Sequence, residues 1–467
     1  MVTAAREHSQ ELLSNALGKI SLVDRGVMDY YLQKNGLADA GYYAFATAYT
    51  HVKTLEENLR DKFLTDILRN KYSHMGVGTA KGKSGSLHIA TVIFTKREVK
   101  MEPFPQFVNP EETYLLRAEI LGGNKNPQIL MTTPRGEVRE IAIRERKGKV
   151  MEAEISFREG QGRYKIEIMG EDLQGPKILA LFPVYLGVDP PDRPELSPFK
   201  VEMKYTNSEE AEKEMVKLIN RDRKRHKLSP LPVLPELSEI ARQHSKDMRD
   251  NNFFAHYSPR SGTPHDRIAR SSIAFSSIKE NIAQDYSLKR AEQHLMESPG
   301  HRLNIIDPKA THVGVGIVFG QDPSGAQIMH ITQNFIEVIG QIDPLRVKGE
   351  ILNIINRKRE EGGFSSLKED LTLSSIALKH SQNMLKFDNF SYNLSRENKL
   401  LDMVEKNMIG YRKVAASIFL SDTTEEIPNT EHILDPSYNY LGIGLVQGDS
   451  GSHGKGLLWI TLIFMEK

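Results

Sequence analysis

The sequence predicts an α+β protein of three related units, each running from helices into a closing pair of strands, with one all-β module after the first. Three observations carry that reading. Two short blocks recur in the same order three times along 467 residues. Each second block leads into an apolar run of the kind that forms a buried strand. Between the first and second units, apolar and polar residues alternate with period two, which marks half-buried strands.

The first block is Ala241-Arg242-Gln243-His244-Ser245-Lys246-Asp247-Met248, matched by Ala5-Arg6-Glu7-His8-Ser9-Gln10-Glu11-Leu12 and by Lys379-His380-Ser381-Gln382-Asn383-Met384. The second is Thr311-His312-Val313-Gly314-Val315-Gly316, matched by Ser73-His74-Met75-Gly76-Val77-Gly78 and by Asn439-Tyr440-Leu441-Gly442-Ile443-Gly444. Closing strands follow at Leu87 to Phe94, Met329 to Phe335 and Leu458 to Phe464. Ordered recurrence of this kind signals an internal repeat. It divides the chain into 1–98, 99–188, a linker at 189–204, 205–342 and 343–467.

The first unit has no counterpart of the helix that opens the other two. An uncovered apolar face is therefore expected there, along with a gene product that extends upstream of Met1. In 99–188, Met151, Ala153, Ile155 and Phe157 alternate with Glu152, Glu154 and Ser156, and Tyr164, Ile166 and Ile168 alternate with Lys165 and Glu167. Turns are expected at Pro134-Arg135-Gly136 and Arg146-Lys147-Gly148. This is a small antiparallel sandwich of immunoglobulin-like size, carrying no visible chemistry and suited to a spacer or adhesive role. Asp189-Pro190-Pro191-Asp192-Arg193-Pro194-Glu195 is a semi-rigid linker.

The second unit opens with a helix whose apolar face is Ala211, Met215, Leu218 and Ile219, stopped by Pro230 and Pro232. A second helix follows Pro235, with Leu237, Ile240, Ala241, His244 and Met248 on one side. Ser287 caps a further helix that Ser298-Pro299-Gly300 breaks just before His301. Strands are expected at Val313 to Phe319 and Ile328 to Phe335, joined by a turn at Asp322-Pro323-Ser324-Gly325. The third unit repeats the plan, with helices at Ile351 to Glu360 and Leu373 to Phe387 and strands at Leu441 to Val446 and Leu457 to Phe464.

Composition narrows the functional classes. A balance of 62 basic against 61 acidic residues gives no reason to expect nucleic acid or an anionic membrane as partner. No run of 18 apolar residues offers a helical membrane span, and the first residues lack the apolar core of a signal peptide. With no cysteine, disulfides and thiolate chemistry are excluded in either redox compartment.

The chemistry gathers in Phe253 to Asn304, where His256, Glu280 and His301 stand in three short motifs. Imidazole nitrogens and a carboxylate are the usual ligands of a divalent transition metal and the usual general bases. His8, His244 and His380 recur in units with and without these residues, which marks them as structural. The same holds for His74 with His312 and for His88 with His330. In the third unit Tyr392 falls in the place of His256 and Asn429 in the place of His301, and no glutamate stands near Val414-Ala415-Ala416. In the first, Phe63 falls near the His301 position. The outer units read as scaffold or as binding surfaces.

The second unit resembles the CAP superfamily of cysteine-rich secretory proteins, antigen 5 and pathogenesis-related proteins, in its cysteine-free bacterial form. The resemblance rests on Phe254-Ala255-His256-Tyr257-Ser258-Pro259, Gly262-Thr263-Pro264, Asp266-Arg267-Ile268, Glu280-Asn281-Ile282-Ala283, Ser298-Pro299-Gly300-His301-Arg302, Asn304-Ile305 and Gly314-Val315-Gly316. It implies an α-β-α sandwich with His256, Glu280 and His301 lining a central cleft. Many members add a second cleft glutamate, and here that position is Ser298, with Glu297 beside it. The family is mostly secreted, to the extracellular, periplasmic or cell-surface side, and many members bind a divalent metal or a lipid.

Three functions follow as expectations. The first is an extracytoplasmic protein whose middle domain binds a small-molecule, lipid or protein ligand, and one zinc or other divalent ion through His256 and His301. The second is a metal-dependent peptidase with Glu280 as general base. The third is a non-catalytic cell-surface rod.

Overall fold

The computed structural model describes residues 1–15, 25–57, 72–82, 87–192, 205, 207–322, 326–394, 399–408, 410–423 and 430–467. Residues 323–325 of the expected turn, most of the linker, Phe63 and Asn429 lie outside the described residues. The chain folds as two compact units. One comprises Met1–Pro264, Lys279–Pro308 and Val313–Phe335, and the other His265–Ile278, Lys309–His312 and Ile336–Lys467.

The first compact unit begins with helices α1 (Val2–Asn15) and α2 (Arg25–Lys34) and strands β1 (Tyr42–Tyr49), β2 (His74–Lys81) and β3 (His88–Thr95). The strands form an antiparallel sheet in the order β1-β3-β2. Helix α1 lies so close to β2 that a Cβ on Gly78 would overlap the backbone of Ala5 and Arg6. That contact explains the glycine in the repeated block. Ser9 Oγ fixes the pair by donating to Gly78 O at 2.9 Å, with Thr91 Oγ1 hydrogen-bonded to the same hydroxyl at 2.8 Å. Met75 and Val77 on β2 are exposed, whereas Leu441 and Ile443, their counterparts in the third repeat, are buried.

The sandwich follows, with β4 (Val99–Met101), β5 (Phe107–Val108), β6 (Thr113–Ile120), β7 (Lys125–Thr132), β8 (Val138–Ile141), β9 (Glu145–Lys147), β10 (Val150–Ser156), β11 (Gly162–Asp172) and β12 (Gly175–Leu186). They make sheets of order β4-β6-β10-β9 and β5-β12-β11-β7-β8. The core is the apolar half of the predicted alternation, with Met151, Ala153 and Ile155 buried with Tyr164, Ile166 and Ile168. Gly136 and Gly148, at φ of 85° and 62°, turn the chain where expected. The sandwich grips the first repeat through Leu181 N–H donating to Ala38 O at 2.9 Å and Gln106 Nε2 donating to Gln33 O at 2.8 Å.

The middle repeat has helices α3 (Ser208–Arg225), α4 (Pro235–Asp250), α5 (Pro264–Ala269), α6 (Leu288–Glu297) and α7 (Pro299–Ile305), with strands β13 (Phe275–Asp285), β14 (His312–Gln321) and β15 (Gln327–Val338). Its sheet has the order β13-β15-β14. Asn207 caps α3 by accepting from Glu209 N, acidic residues fill its first turn and Arg223 to Arg225 its last, as the helix dipole favours. Ala211, Met215, Leu218 and Ile219 are buried as the spacing predicts. Strand β13 was not foreseen, because Phe275 to Asp285 mixes apolar and polar residues without a clean period.

The second compact unit holds the third repeat: α8 (Pro344–Glu361), β16 (Lys368–Glu369), α9 (Leu371–Lys386), α10 (Leu400–Asn407), β17 (Lys413–Ser421), β18 (Tyr440–Ser450) and β19 (Gly454–Glu466). Its sheet runs β16-β18-β19-β17, so the last strand is again flanked by the other two long ones. Val347, Ile351 and Ile355 of α8 pack on Leu441, Ile443 and Leu445.

Candidate functional site

His256 stands on a loop that the sequence pins at both ends. Helix α4 stops at Asn251, and Asn252 adopts a left-handed φ of 51° that turns the chain back. Ser258 Oγ donates to Asp247 Oδ2 at 2.5 Å and accepts from the backbone of Arg260 and Ser261. Tied to α4 in this way, the loop brings His256 Nδ1 within 2.9 Å of Glu280 Oε1. The Glu280 side chain is 1% exposed and the His256 side chain 12%. His244 lies behind them, 3.9 Å from Glu280 Oε1, with Nε2 at 3.1 Å from Ala255 O. With Nδ1 as donor, the buried carboxylate fixes the tautomer and plane of the His256 ring.

His301 follows the helix-breaking Ser298, which caps α7 by accepting from His301 N. Asn281 Nδ2 donates to His301 O at 3.2 Å, and Asn304 Nδ2 donates to Glu280 O at 3.2 Å and to Asn281 Oδ1 at 2.9 Å. The helix carrying His301 is thus laced to the strand carrying Glu280. Among the described residues, no group of three or more His, Cys, Asp or Glu side chains could hold a metal ion. The structure pairs His256 with Glu280 but does not gather His256, His301 and Glu280 into a three-ligand set.

Glu297 and Ser298 also reach the sandwich. Glu297 forms ion pairs with Arg163, at 3.0 Å, and with Lys165, both on β11 of the sandwich. Against the desolvation of its burial, those two cations hold the Glu297 carboxyl down to about 2. Ser298 Oγ donates to Glu167 Oε2 at 2.6 Å, also on β11.

Several functional neighbours were missed by the sequence reading. Gln333 Oε1 accepts from Asn281 at 3.1 Å, and Gln333 Nε2 donates to Glu292 Oε2 at 2.8 Å. A buried polar chain therefore runs from Glu292 on α6 through Gln333 and Asn281 to the His301 backbone. The signal was present in Thr332-Gln333-Asn334-Phe335, two adjacent amides where the other two repeats have apolar residues. The presumed match of His330 to His88 is off by one. Thr332 and Thr91 make equivalent hydrogen bonds with Ser245 and Ser9, which sets His330 opposite Ile89. His88 stacks on Tyr49 instead. His330 is buried beside Gln284, and its burial, aided by Arg249, lowers it to about 4.

Sequence comparison agrees with this architecture. The profile of the cysteine-rich secretory protein family, CAP, matches residues 216–335 and 352–464. The chain belongs to that family through these two stretches, its second and third repeats. The uncharacterized protein YkwD of Bacillus subtilis is 41% identical over 108 residues, covering 23% of this chain and 42% of that protein. The uncharacterized membrane protein YlbC of the same species is 34% identical over 128 residues, 27% of this chain and 34% of its own length. The chain thus spans less than half the length of these relatives. Among solved structures, an extracellular SCP-domain protein from Bacillus anthracis is similar at 20% identity over 51% of this chain and 88% of its own, with a TM-score of 0.25. A cysteine-rich secretory protein from Staphylococcus aureus is similar at 14% identity over 48% and 75%, with a TM-score of 0.24.

Proposed function

We propose that the middle repeat is the ligand-binding module of an extracytoplasmic CAP protein, with the outer repeats as scaffold. The observation that carries this is the His256–Glu280 pair at 2.9 Å. A buried carboxylate that orients an imidazole at the mouth of a loop creates a fixed polar recognition point, and the third repeat has Tyr392, 45% exposed, in that place. The secretory character of the family supports the extracytoplasmic assignment.

A divalent ion is the first ligand to try, because His256, Glu280 and His301 are of the residue types that ligate one and stand in the motifs that carry the family resemblance. Calorimetric titration of the full chain with Zn²⁺ should give one site that His256→Ala and His301→Ala each weaken. Equal affinity in the double variant removes the metal from the proposal. A second arm screens a fragment library by saturation-transfer NMR. Failure to find any binder that His256→Ala abolishes overturns the binding reading itself.

A further inference from the structure

Among the described residues, the sandwich docks on the two motifs that carry His256 and His301. At one end of β11, Glu167 accepts from Ser298 Oγ at 2.6 Å and from Gly300 N at 2.8 Å, directly before His301. Arg163 and Lys165, on the same face of the same strand, hold Glu297. At the other end, the β11–β12 hairpin reaches the second motif, where Tyr257 N–H donates to Gln174 O at 3.0 Å. Gly175, at φ +101°, sits so that a Cβ would lie 3.2 Å from the Cβ of His256. Arg302 Nε donates to Gly136 O at 2.9 Å beneath the same sheet.

Glycine lets these surfaces approach. A Cβ on Gly300 would fall 2.7 Å from Met169 Sδ and 2.8 Å from Glu167 Oε1. Apart from Met169, the named contacts are polar. Interfaces between domains with that character resemble transient rather than permanent ones. Glu167 is fully buried between the two domains, and its burial raises it to about 7 despite two donors and Lys165 nearby. The docked state therefore carries a desolvation cost that release would recover.

We propose that the β-sandwich is an intramolecular gate on the histidine cleft, latched at Glu167–Ser298 and Lys165–Glu297 and closing its β11–β12 hairpin against His256. This deepens the binding reading above and rests on it, since a gate matters only where there is a site to reach. A ligand reaches the cleft in proportion to the undocked population, so any change that shifts docking scales access directly.

The absence of native cysteine makes the test clean. Gln174→Cys with Tyr257→Cys introduces one disulfide across a junction whose backbones already touch. Diethylpyrocarbonate modification of His256 and His301, read by peptide mass spectrometry in the full chain, reports access without needing the ligand. Oxidation should slow both histidines at least about tenfold, a population shift of ~1.4 kcal/mol, and reduction should restore the wild-type rate. Arg163→Glu with Lys165→Glu should speed both by a similar factor. Thermal melts check that the variants fold, and if the charge reversal unfolds the chain, the disulfide pair decides alone. Equal rates in the oxidised and reduced protein would make the sandwich a fixed wall and overturn the gate. That outcome leaves the zinc and fragment titrations standing, whereas their failure would not alter histidine access.

Discussion

The middle and third repeats share a frame and differ in what fills it. Ser245 and Ser381 donate to Gly316 O at 2.9 Å and Gly444 O at 3.1 Å, and both meet a threonine on the central strand. Buried Arg223 bonds the carbonyls of Ser229, Ile305 and Asp307, and buried Arg359 bonds those of Ser365, Ile433 and Asp435. Asn220 and Asn356 each clasp both backbone groups of one leucine, Leu231 and Leu367. On that common frame the central strand reads His330-Ile331-Thr332-Gln333-Asn334-Phe335 in one repeat and Trp459-Ile460-Thr461-Leu462-Ile463-Phe464 in the other. The first repeat, Ile89-Ala90-Thr91-Val92-Ile93-Phe94, follows the apolar version. Buried amides cost stability unless each finds partners. The middle repeat retains them beside Glu280 and the His301 backbone, where Gln333 pairs with Glu292 and Asn281, whereas the other repeats carry leucine, isoleucine and valine there.

The largest effect should come from breaking the shared frame. A Cβ on Gly316 would overlap the backbone of Ala241 and Arg242, and one on Gly444 would overlap that of Ala377 and Leu378. No side-chain rotation relieves a clash with a helix backbone. Gly316→Ala and Gly444→Ala should therefore each destabilise their own repeat by more than about 3 kcal/mol, the upper range for overpacking. Chemical denaturation followed by hydrogen exchange resolves the two repeats. A tolerated alanine at either position would show that the helix and strand do not approach as closely as described.

A smaller effect should separate the two fillings. Gln333→Leu writes the third repeat's residue into the middle one and strips Glu292 and Asn281 of a partner each. The loss should be about 1–3 kcal/mol, the cost of leaving buried polar groups unmatched. Leu462→Gln places an amide among Ile443, Ile460 and Phe464 and should cost a similar amount. Equal tolerance of both exchanges in urea denaturation would mean that the polar chain is incidental to its repeat.

Much of this was legible in the sequence. The repeat, most helices and the sandwich core follow from periodicity and spacing, and the motifs of His256, Glu280 and His301 stood out through the family resemblance. The docking face of the sandwich was not legible, for a physical reason. Lys165 and Glu167 alternate with Tyr164, Ile166 and Ile168, and period two says only that they leave the core of their own sheet. Alternation cannot distinguish a face turned to water from one turned to a polar interface. Glu297 was similarly ambiguous, since a carboxylate next to a cleft motif can face the cleft or, as here, two cations 132–134 positions earlier in the chain.

The finest test of the comparison is a proton. Glu292 lies at the end of the polar chain, fully buried, and desolvation raises its carboxyl to about 8, with Gln333 donating to it and Arg221 opposing the rise. The carboxyl's ordinary value is near 4.5. A carboxyl raised on folding contributes stability that is fully present below that ordinary value and is lost as pH climbs through about 8. Glu167 acts in the same direction up to about 7. His330, held near 4, acts oppositely, but only below its ordinary value near 6.5. Between pH 6.5 and 8 the carboxyls are therefore the groups to watch, and Glu292 dominates the upper half. The unfolding free energy of the first compact unit should fall with rising pH there, by up to about 1.4 kcal/mol per unit for one proton. Glu292→Gln keeps an acceptor for Gln333 and cannot ionise, so it should flatten the slope between pH 7 and 8 while changing stability little at pH 5. Urea denaturation of both proteins at pH 5, 7 and 8 measures the difference. Parallel pH profiles for wild type and variant would show that Glu292 is ionised in the fold, and that the polar chain carries a charge rather than a proton.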